Sequence, residues 1–388
     1  MQESVGMKTL ELVFFDAGGG HRSAANALIE VARSQQRPWE MPMTNLQELL
    51  DDMDVFRKIT DIRLQDLYNL MLRRGWTLGS PALMKGMHGV IRLYHRAQVK
   101  LLAGHWRERA RPDMVVSVIP NFNRAIFQAM QRAIPDVPLV TILTDMADYP
   151  PHFWIERQPQ YFICGTERAY NQALKLGHPP ERLFRTSGMI LNPRFYEPVA
   201  VDRGPDRAAL GLDPDRPTAL IMFGGEGSAA MMRIARLLDA SGLDVQVIAI
   251  CGKNKKLEAA MRDTSWRMGM HVVGFTREVP RFMRLSDFFI GKPGPGSISE
   301  AVAMGLPVII ERNRWTLPQE RYNADWVEEQ GVGISLRRFR LQIVEAVGQM
   351  LDPQRRCEFV RRVNAQKNRA VFEIPDILDR IMSERPMN

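Results

Sequence analysis

Lys292-Pro293-Gly294-Pro295-Gly296-Ser297-Ile298-Ser299-Glu300-Ala301 stands directly after the apolar run Asp287-Phe288-Phe289-Ile290 and opens a stretch of small and apolar residues. Strand, glycine turn and helix in that order is the unit from which parallel sheets are wound. Glycines let the backbone approach a ligand, and a helix start offers free N–H groups and the positive end of the helix dipole. A diphosphate therefore fits at Gly294, Gly296 and Ser297. Glu300 follows Ser297 by nearly one helical turn, on the same side, where its carboxylate can accept both hydroxyls of a ribose. The same spacing reads equally well as a capping box, with Ser297 as cap and Glu300 reaching back.

The unit recurs along the chain. Ala219-Leu220-Ile221-Met222-Phe223 runs into Gly224-Gly225-Glu226-Gly227-Ser228, where Gly225 and Glu226 are candidates to meet a phosphate. No Gly-Lys-Ser/Thr follows, so this is not a P-loop. Near the start, Leu10-Glu11-Leu12-Val13-Phe14-Phe15 ends in Asp16-Ala17-Gly18-Gly19-Gly20-His21 ahead of an apolar stretch at helical spacing. This loop lacks the dinucleotide spacing, but it puts His21 at a strand-to-helix turn, where an imidazole can take a proton at neutral pH. Further strands are expected at 114–119, 139–143, 161–164, 245–250, 271–273 and 307–310. Thr144-Asp145 closes one of them and offers a second carboxylate. Gln319, Glu320 and Asn323 follow another, with side chains suited to vicinal sugar hydroxyls.

At 388 residues the chain exceeds one ordinary core. We expect an α/β protein of two Rossmann-like domains with a cleft between them, spanning 1–195 and 218–365. A Pro-, Arg- and Asp-rich linker would cover 196–217, and a C-terminal helix at 366–388 would return to the first domain. No apolar run is long enough to span a bilayer, and the first run continues into a glycine loop instead of ending as a signal peptide. Cys164, Cys251 and Cys357 are few and scattered, which argues for a reducing, cytoplasmic compartment and three buried thiols.

The net charge of +8 is concentrated. Positions 55–111 hold twelve Lys/Arg and three Asp/Glu, leaving −1 for the rest. Here Arg73, Arg74, Lys85 and Arg92 mix with Trp76 and Trp106, a pattern suited to an anionic lipid surface, whereas no nucleic-acid motif accompanies it.

Phe15 to Ser23, read with Thr144-Asp145, Pro151-His152-Phe153-Trp154, Gly224 to Gly227, Ile250 to Leu257, Gly274-Phe275-Thr276, Lys292 to Glu300 and Gln319-Glu320…Asn323, resembles the monogalactosyldiacylglycerol synthase family. That group includes bacterial diacylglycerol glycosyltransferases and is related to the N-acetylglucosaminyltransferase of peptidoglycan lipid synthesis. The resemblance implies a GT-B fold and inverting transfer of galactose or glucose from a UDP-sugar to a lipid, with no metal and no cofactor. It implies that the backbone near Phe275 and Thr276 holds uracil and that Gly20 lies by the donor. Glu300 would bind ribose, Ser297 and its glycines diphosphate, and Gln319 and Glu320 the sugar. His21 would be the base or would stabilise the donor phosphates, with Asp145 the other candidate base. The basic segment falls where the family contacts acceptor and membrane, implying peripheral association with the inner membrane. Other readings are a UDP-sugar 2-epimerase, which needs no lipid acceptor, and a non-catalytic lipid-binding protein.

Overall fold

The predicted apolar runs become strands within a residue or two of their expected ends. The chain is described by a computed structural model over residues 6–16, 20–50, 94–314 and 316–384. Among these, residues up to 193 and from 368 onward make one compact unit, and residues 194–367 make another.

In the first unit, β1 (Lys8–Phe14), β2 (Trp39–Glu40), β3 (Met43–Asn45), β4 (Met114–Ser117), β5 (Leu139–Ile142), β6 (Tyr161–Cys164) and β7 (Leu183–Arg185) form one sheet. Its order is β2-β1-β4-β5-β6-β7, with β3 also pairing β1, and every pairing is parallel. Strands buried on both faces are what parallel sheets require, and β1, β4 and β5 are buried almost throughout. The Gly20–Ser34 helix buries Ala24, Ala25, Leu28 and Val31, a stripe at 3.6-residue spacing. The Ala370–Ser383 helix belongs to this unit and packs on the Gly20–Ser34 helix. Arg37 pairs there with Asp376 and Asp379.

The second unit contains β8 (Thr218–Met222), β9 (Gln246–Ile250), β10 (Met270–Val273), β11 (Phe288–Gly291), β12 (Val308–Glu311) and β13 (Gly333–Leu336), in the order β10-β9-β8-β11-β12-β13. This is the doubly wound Rossmann arrangement, whose winding reverses between β8 and β11. Its core joins Ile221, Ile234, Val247, Phe288, Ile290, Ile309 and Val347.

The structure corrects three expectations. Residues 196–217 are not a free linker: the Arg203–Ala209 helix lies in this stretch, and Arg207 is buried against Asp287 and the Leu285 and Pro214 carbonyls of the second unit. Cys164 and Cys251 are buried, but Cys357 is exposed.

The third correction concerns Trp106. It lies on the His95–Arg107 helix, is 3% exposed, and packs with Val99, Leu102, Val115 and Ile126 instead of facing a membrane. Its indole donates to Glu11 Oε2 at 2.7 Å, while Thr44 Oγ1 (2.6 Å) and His105 Nε2 (2.8 Å) meet Glu11 Oε1. Burial alone would raise the Glu11 pKa; hydrogen bonds from His105, Thr44 and Trp106 outweigh it and hold the carboxyl below its ordinary value. Amphipathic spacing marks one face of a helix as special without saying whether that face meets lipid or core. Arg73, Arg74, Trp76, Lys85 and Arg92 lie outside the described residues.

Trp106→Phe keeps the ring but leaves a buried carboxylate oxygen without its donor. It should lower the unfolding free energy in urea by about 1–3 kcal/mol. A tryptophan serving only a membrane surface would tolerate the change without loss.

Candidate active site

Side chains of the first unit converge where its winding reverses, at the carboxyl ends of β1 and β4. His21 occupies the first turn of the Gly20–Ser34 helix, which follows β1, and Gly20 is exposed at the helix start. The His21 ring bonds to the Val118 carbonyl just after β4, and its Nδ1 is 3.2 Å from Thr144 Oγ1 after β5. Trp154, fully buried, ties the cluster together. Its ring centroid is 6.1 Å from that of His21, and its Nε1 donates to Asp145 Oδ2 at 2.9 Å. The two candidate bases therefore share one tryptophan. Reading the residues one loop at a time did not single out Trp154 or Val118 as site residues, because they enter the cluster from other segments of the chain.

His21 is half-buried, and desolvation by the surrounding protein pushes its pKa down to about 4, against the pull of the Val118 carbonyl. The ring is neutral at pH 7. A neutral imidazole can receive a proton, but it brings no positive charge to a phosphate. Asp16, just before the loop, is taken by Arg22, which also lies over the Phe14 ring.

In the second unit the loops after β8, β9, β10, β11 and β12 gather at the carboxyl edge of the sheet. The first two pack backbone to backbone. A Cβ on Gly252 would sit 2.3 Å from the Gly225 carbonyl oxygen, and one on Gly227 would sit 2.5 Å from that of Cys251. Both glycines have positive φ, so larger residues are excluded twice over. Lys253 N–H donates to the Gly225 carbonyl at 2.8 Å, and Lys253 Nζ reaches Glu226 at 4.0 Å. Gly225 itself is exposed. The Lys253 ammonium also lies 5.8 Å from the centroid of Phe275, whose ring is 59% exposed. Thr276 Oγ1 accepts from Glu278 N–H at 3.0 Å.

The capping-box alternative at 297–300 does not form. The Pro295–Ala303 helix has Gly294 as N-cap with no side-chain cap bond, so Ser297 falls in the first turn. The first-turn N–H groups of Gly296 and Ser297 have no carbonyl within the helix to reach, the arrangement that binds anions. Glu300 is half-buried with a carboxyl hemmed in by protein. Desolvation pushes its pKa up to about 7, opposed by the charge of Arg194. Arg194 also donates to the Arg277 carbonyl at 3.2 Å.

The turn after β12 behaves differently from expectation. Glu320, 9% exposed, takes Lys292 Nζ at 3.0 Å. Asn323 is fully buried and donates from Nδ2 to the Pro293 carbonyl at 2.7 Å, fixing the glycine loop from behind. Buried Gln319 Oε1 and Asn323 Oδ1 find no partner among the described residues. Orphaned buried acceptors of this kind are uncommon and call for a donor from outside the described side chains, such as a water, an ion or a ligand.

Comparison with known proteins agrees with this architecture. Residues 220–381 match the glycosyltransferase family 28 C-terminal domain. The chain is 28% identical to the chloroplastic monogalactosyldiacylglycerol synthase of Spinacia oleracea, over 97% of this chain and 73% of that one. It is 29% identical to the probable chloroplastic monogalactosyldiacylglycerol synthase 2 of Oryza sativa subsp. japonica, over 86% and 71%. Among solved structures it resembles UDP-bound S. aureus MnaA (TM-score 0.59, 15% identity, 98% and 99% coverage) and Acinetobacter baumannii MurG (0.58, 12%, 96% and 99%). The fold is therefore GT-B, two Rossmann-like domains on parallel sheets, and the family resemblance read from the motifs stands.

The raised Glu300 pKa has a thermodynamic sign. Between the ordinary carboxyl value and about 7 the folded state binds the proton more tightly than the unfolded one. Stability therefore falls as pH rises through that window and stays reduced above it. Glu300→Gln, which mimics the protonated form, should raise the melting temperature at pH 8 by on the order of 2–4 °C, and the gain should vanish at pH 5. Calorimetric melts of both proteins at the two pH values check this.

Proposed function

We propose that this glycosyltransferase, which carries a family 28 C-terminal domain, moves a hexose from a UDP-sugar to a lipid hydroxyl, with diacylglycerol as the acceptor, and inverts the anomeric carbon. The observation that carries the donor half is the glycine-lined edge where the β8 and β11 loops meet. Free N–H groups of the Pro295–Ala303 helix lie beside a carboxylate one turn on, at the winding reversal where doubly wound sheets take nucleotides. On this reading the Gly296 and Ser297 amides take the diphosphate and Glu300 accepts the two ribose hydroxyls. Backbone near Phe275 and Thr276 receives uracil, and the orphaned Gln319 oxygen accepts a sugar hydroxyl.

The acceptor oxygen attacks the anomeric carbon and its proton passes to His21. The carbon–oxygen bond to UDP breaks, and its electron pair leaves with the β-phosphate. Stabilising that charge is the larger part of the catalysis. The neutral His21 ring favours the base role over the phosphate role; Asp145, held by Trp154, is the other base within reach of the same cluster. The acceptor half rests on similarity to galactolipid synthases and on the cationic segment at 55–111. Among the described residues no helix is long and apolar enough to cross a membrane. Contact with an anionic bilayer through that segment is part of the proposal.

Radiolabelled UDP-galactose and UDP-glucose, incubated with the protein and diacylglycerol in vesicles containing anionic lipid, should carry label into the organic phase. Label that stays in water as a rearranged UDP-sugar would mean an epimerase instead. His21→Ala should lower kcat by about 10²–10⁴-fold with UDP affinity nearly unchanged; full activity in the variant would end the base assignment. The donor kcat/KM should fall as pH drops through about 7, because Glu300 protonates there, whereas His21 with a pKa of about 4 sets no limb in that range. An acid limb that persists in Glu300→Gln would refute this assignment.

A further inference from the structure

Lys292 directly follows β11, ahead of the glycine turn, and residues of three loops (Gly224, Gly294 and Glu320) stand around its side chain. Its Cε lies 3.2 Å from where a Cβ on Gly294 would be, tight enough that glycine there leaves the lysine room, and 3.5 Å from the same point on Gly224, which places the side chain against the β8 loop as well. Its Nζ sits 3.0 Å from Glu320 Oε1, on the turn after β12. The lysine side chain remains 38% exposed, while that of Glu320 is 11% exposed. A cation is thus held from one side by a nearly buried carboxylate and left open on the other. It stands between the two glycine loops and beside the uncapped start of the Pro295–Ala303 helix.

We propose that Lys292 binds the β-phosphate of the UDP donor and stabilises the charge that builds on it as the sugar leaves, and that Glu320 is first of all the residue that positions this lysine. The inference rests on the donor reading above. Backbone amides and a helix dipole offer partial charges only, whereas a leaving diphosphate develops a full one. An ammonium here supplies a charge-assisted bond where the backbone donors converge. The ion pair keeps the flexible side chain from folding away from the loops. It also means that the Glu320 carboxylate is already occupied, so reading the sugar hydroxyls falls more heavily on Gln319.

The test compares UDP with UMP, which differ by the β-phosphate alone. Calorimetric titration of the full chain should show UDP binding more tightly than UMP by about 10–100-fold. In Lys292→Gln that ratio should collapse towards one, with UMP affinity within about twofold of the original. Lys292→Arg should recover most of the ratio. Unchanged UMP binding doubles as the control for folding. A Lys292→Gln protein that keeps the full UDP preference overturns the proposal. So does one that loses UMP and UDP in equal measure, because the lysine would then be only structural. If the unaltered protein binds neither nucleotide, the donor reading fails and this inference fails with it.

Discussion

A parallel strand can be followed by another parallel strand only through a crossover, and the crossover helix must start above the carboxyl end of the strand it leaves. This constraint governs both halves of the molecule. Where the winding changes direction, between β8 and β11 in one unit and between β1 and β4 in the other, two loops diverge and leave room between them. His21 and the start of the Gly20–Ser34 helix stand at one of those places, and the Gly224 and Gly294 loops with the start of the Pro295–Ala303 helix stand at the other. His21 and Val118 come from the two loops flanking one reversal; Gly224 and Lys292 come from the loops flanking the other.

Both sites also hold their key ionisable groups in the uncharged form more strongly than water would. Desolvation lowers the His21 pKa and raises that of Glu300. Each shift disfavours a charge in the empty protein. The ionised Glu300 carboxylate and a protonated His21 ring are therefore the forms that burial penalises. That enclosure lowers stability in opposite pH ranges, above the ordinary carboxyl value for Glu300 and below the ordinary imidazole value for His21. By contrast, the Glu11 cluster satisfies its carboxylate completely with three side-chain partners and serves the core alone.

Much of this was legible in the amino-acid string because apolar runs and glycine turns are local signals. The strands at 219–223 and 287–290 needed no tertiary information, and neither did the glycines that follow them. What escaped depended on partners distant in sequence. Trp106 has the company of a lipid-facing residue, yet it is buried by Glu11, ninety-five positions away. Glu320 looks like a free sugar reader until Lys292, twenty-eight positions earlier, is found on it. Asn323 spends its amide on the Pro293 carbonyl. The stretch at 196–217 has the composition of a tether, but Arg207 makes it part of a core by capping the carbonyls of a neighbouring turn. Polar residues declare their chemistry in sequence and their partners only in space.

The Ala370–Ser383 helix, clasped to the first unit through Arg37, gives the chain an unusual itinerary. Residues on both sides of 194–367 belong to the same body, so the other Rossmann unit is in effect an insertion within it. On a ribosome residues 194–367 are made before the Ala370–Ser383 helix, so the earlier-made portion waits for its closing helix until the inserted unit is complete. The interrupted body would then expose its Gly20–Ser34 surface after the inserted unit has folded, until the Ala370–Ser383 helix docks.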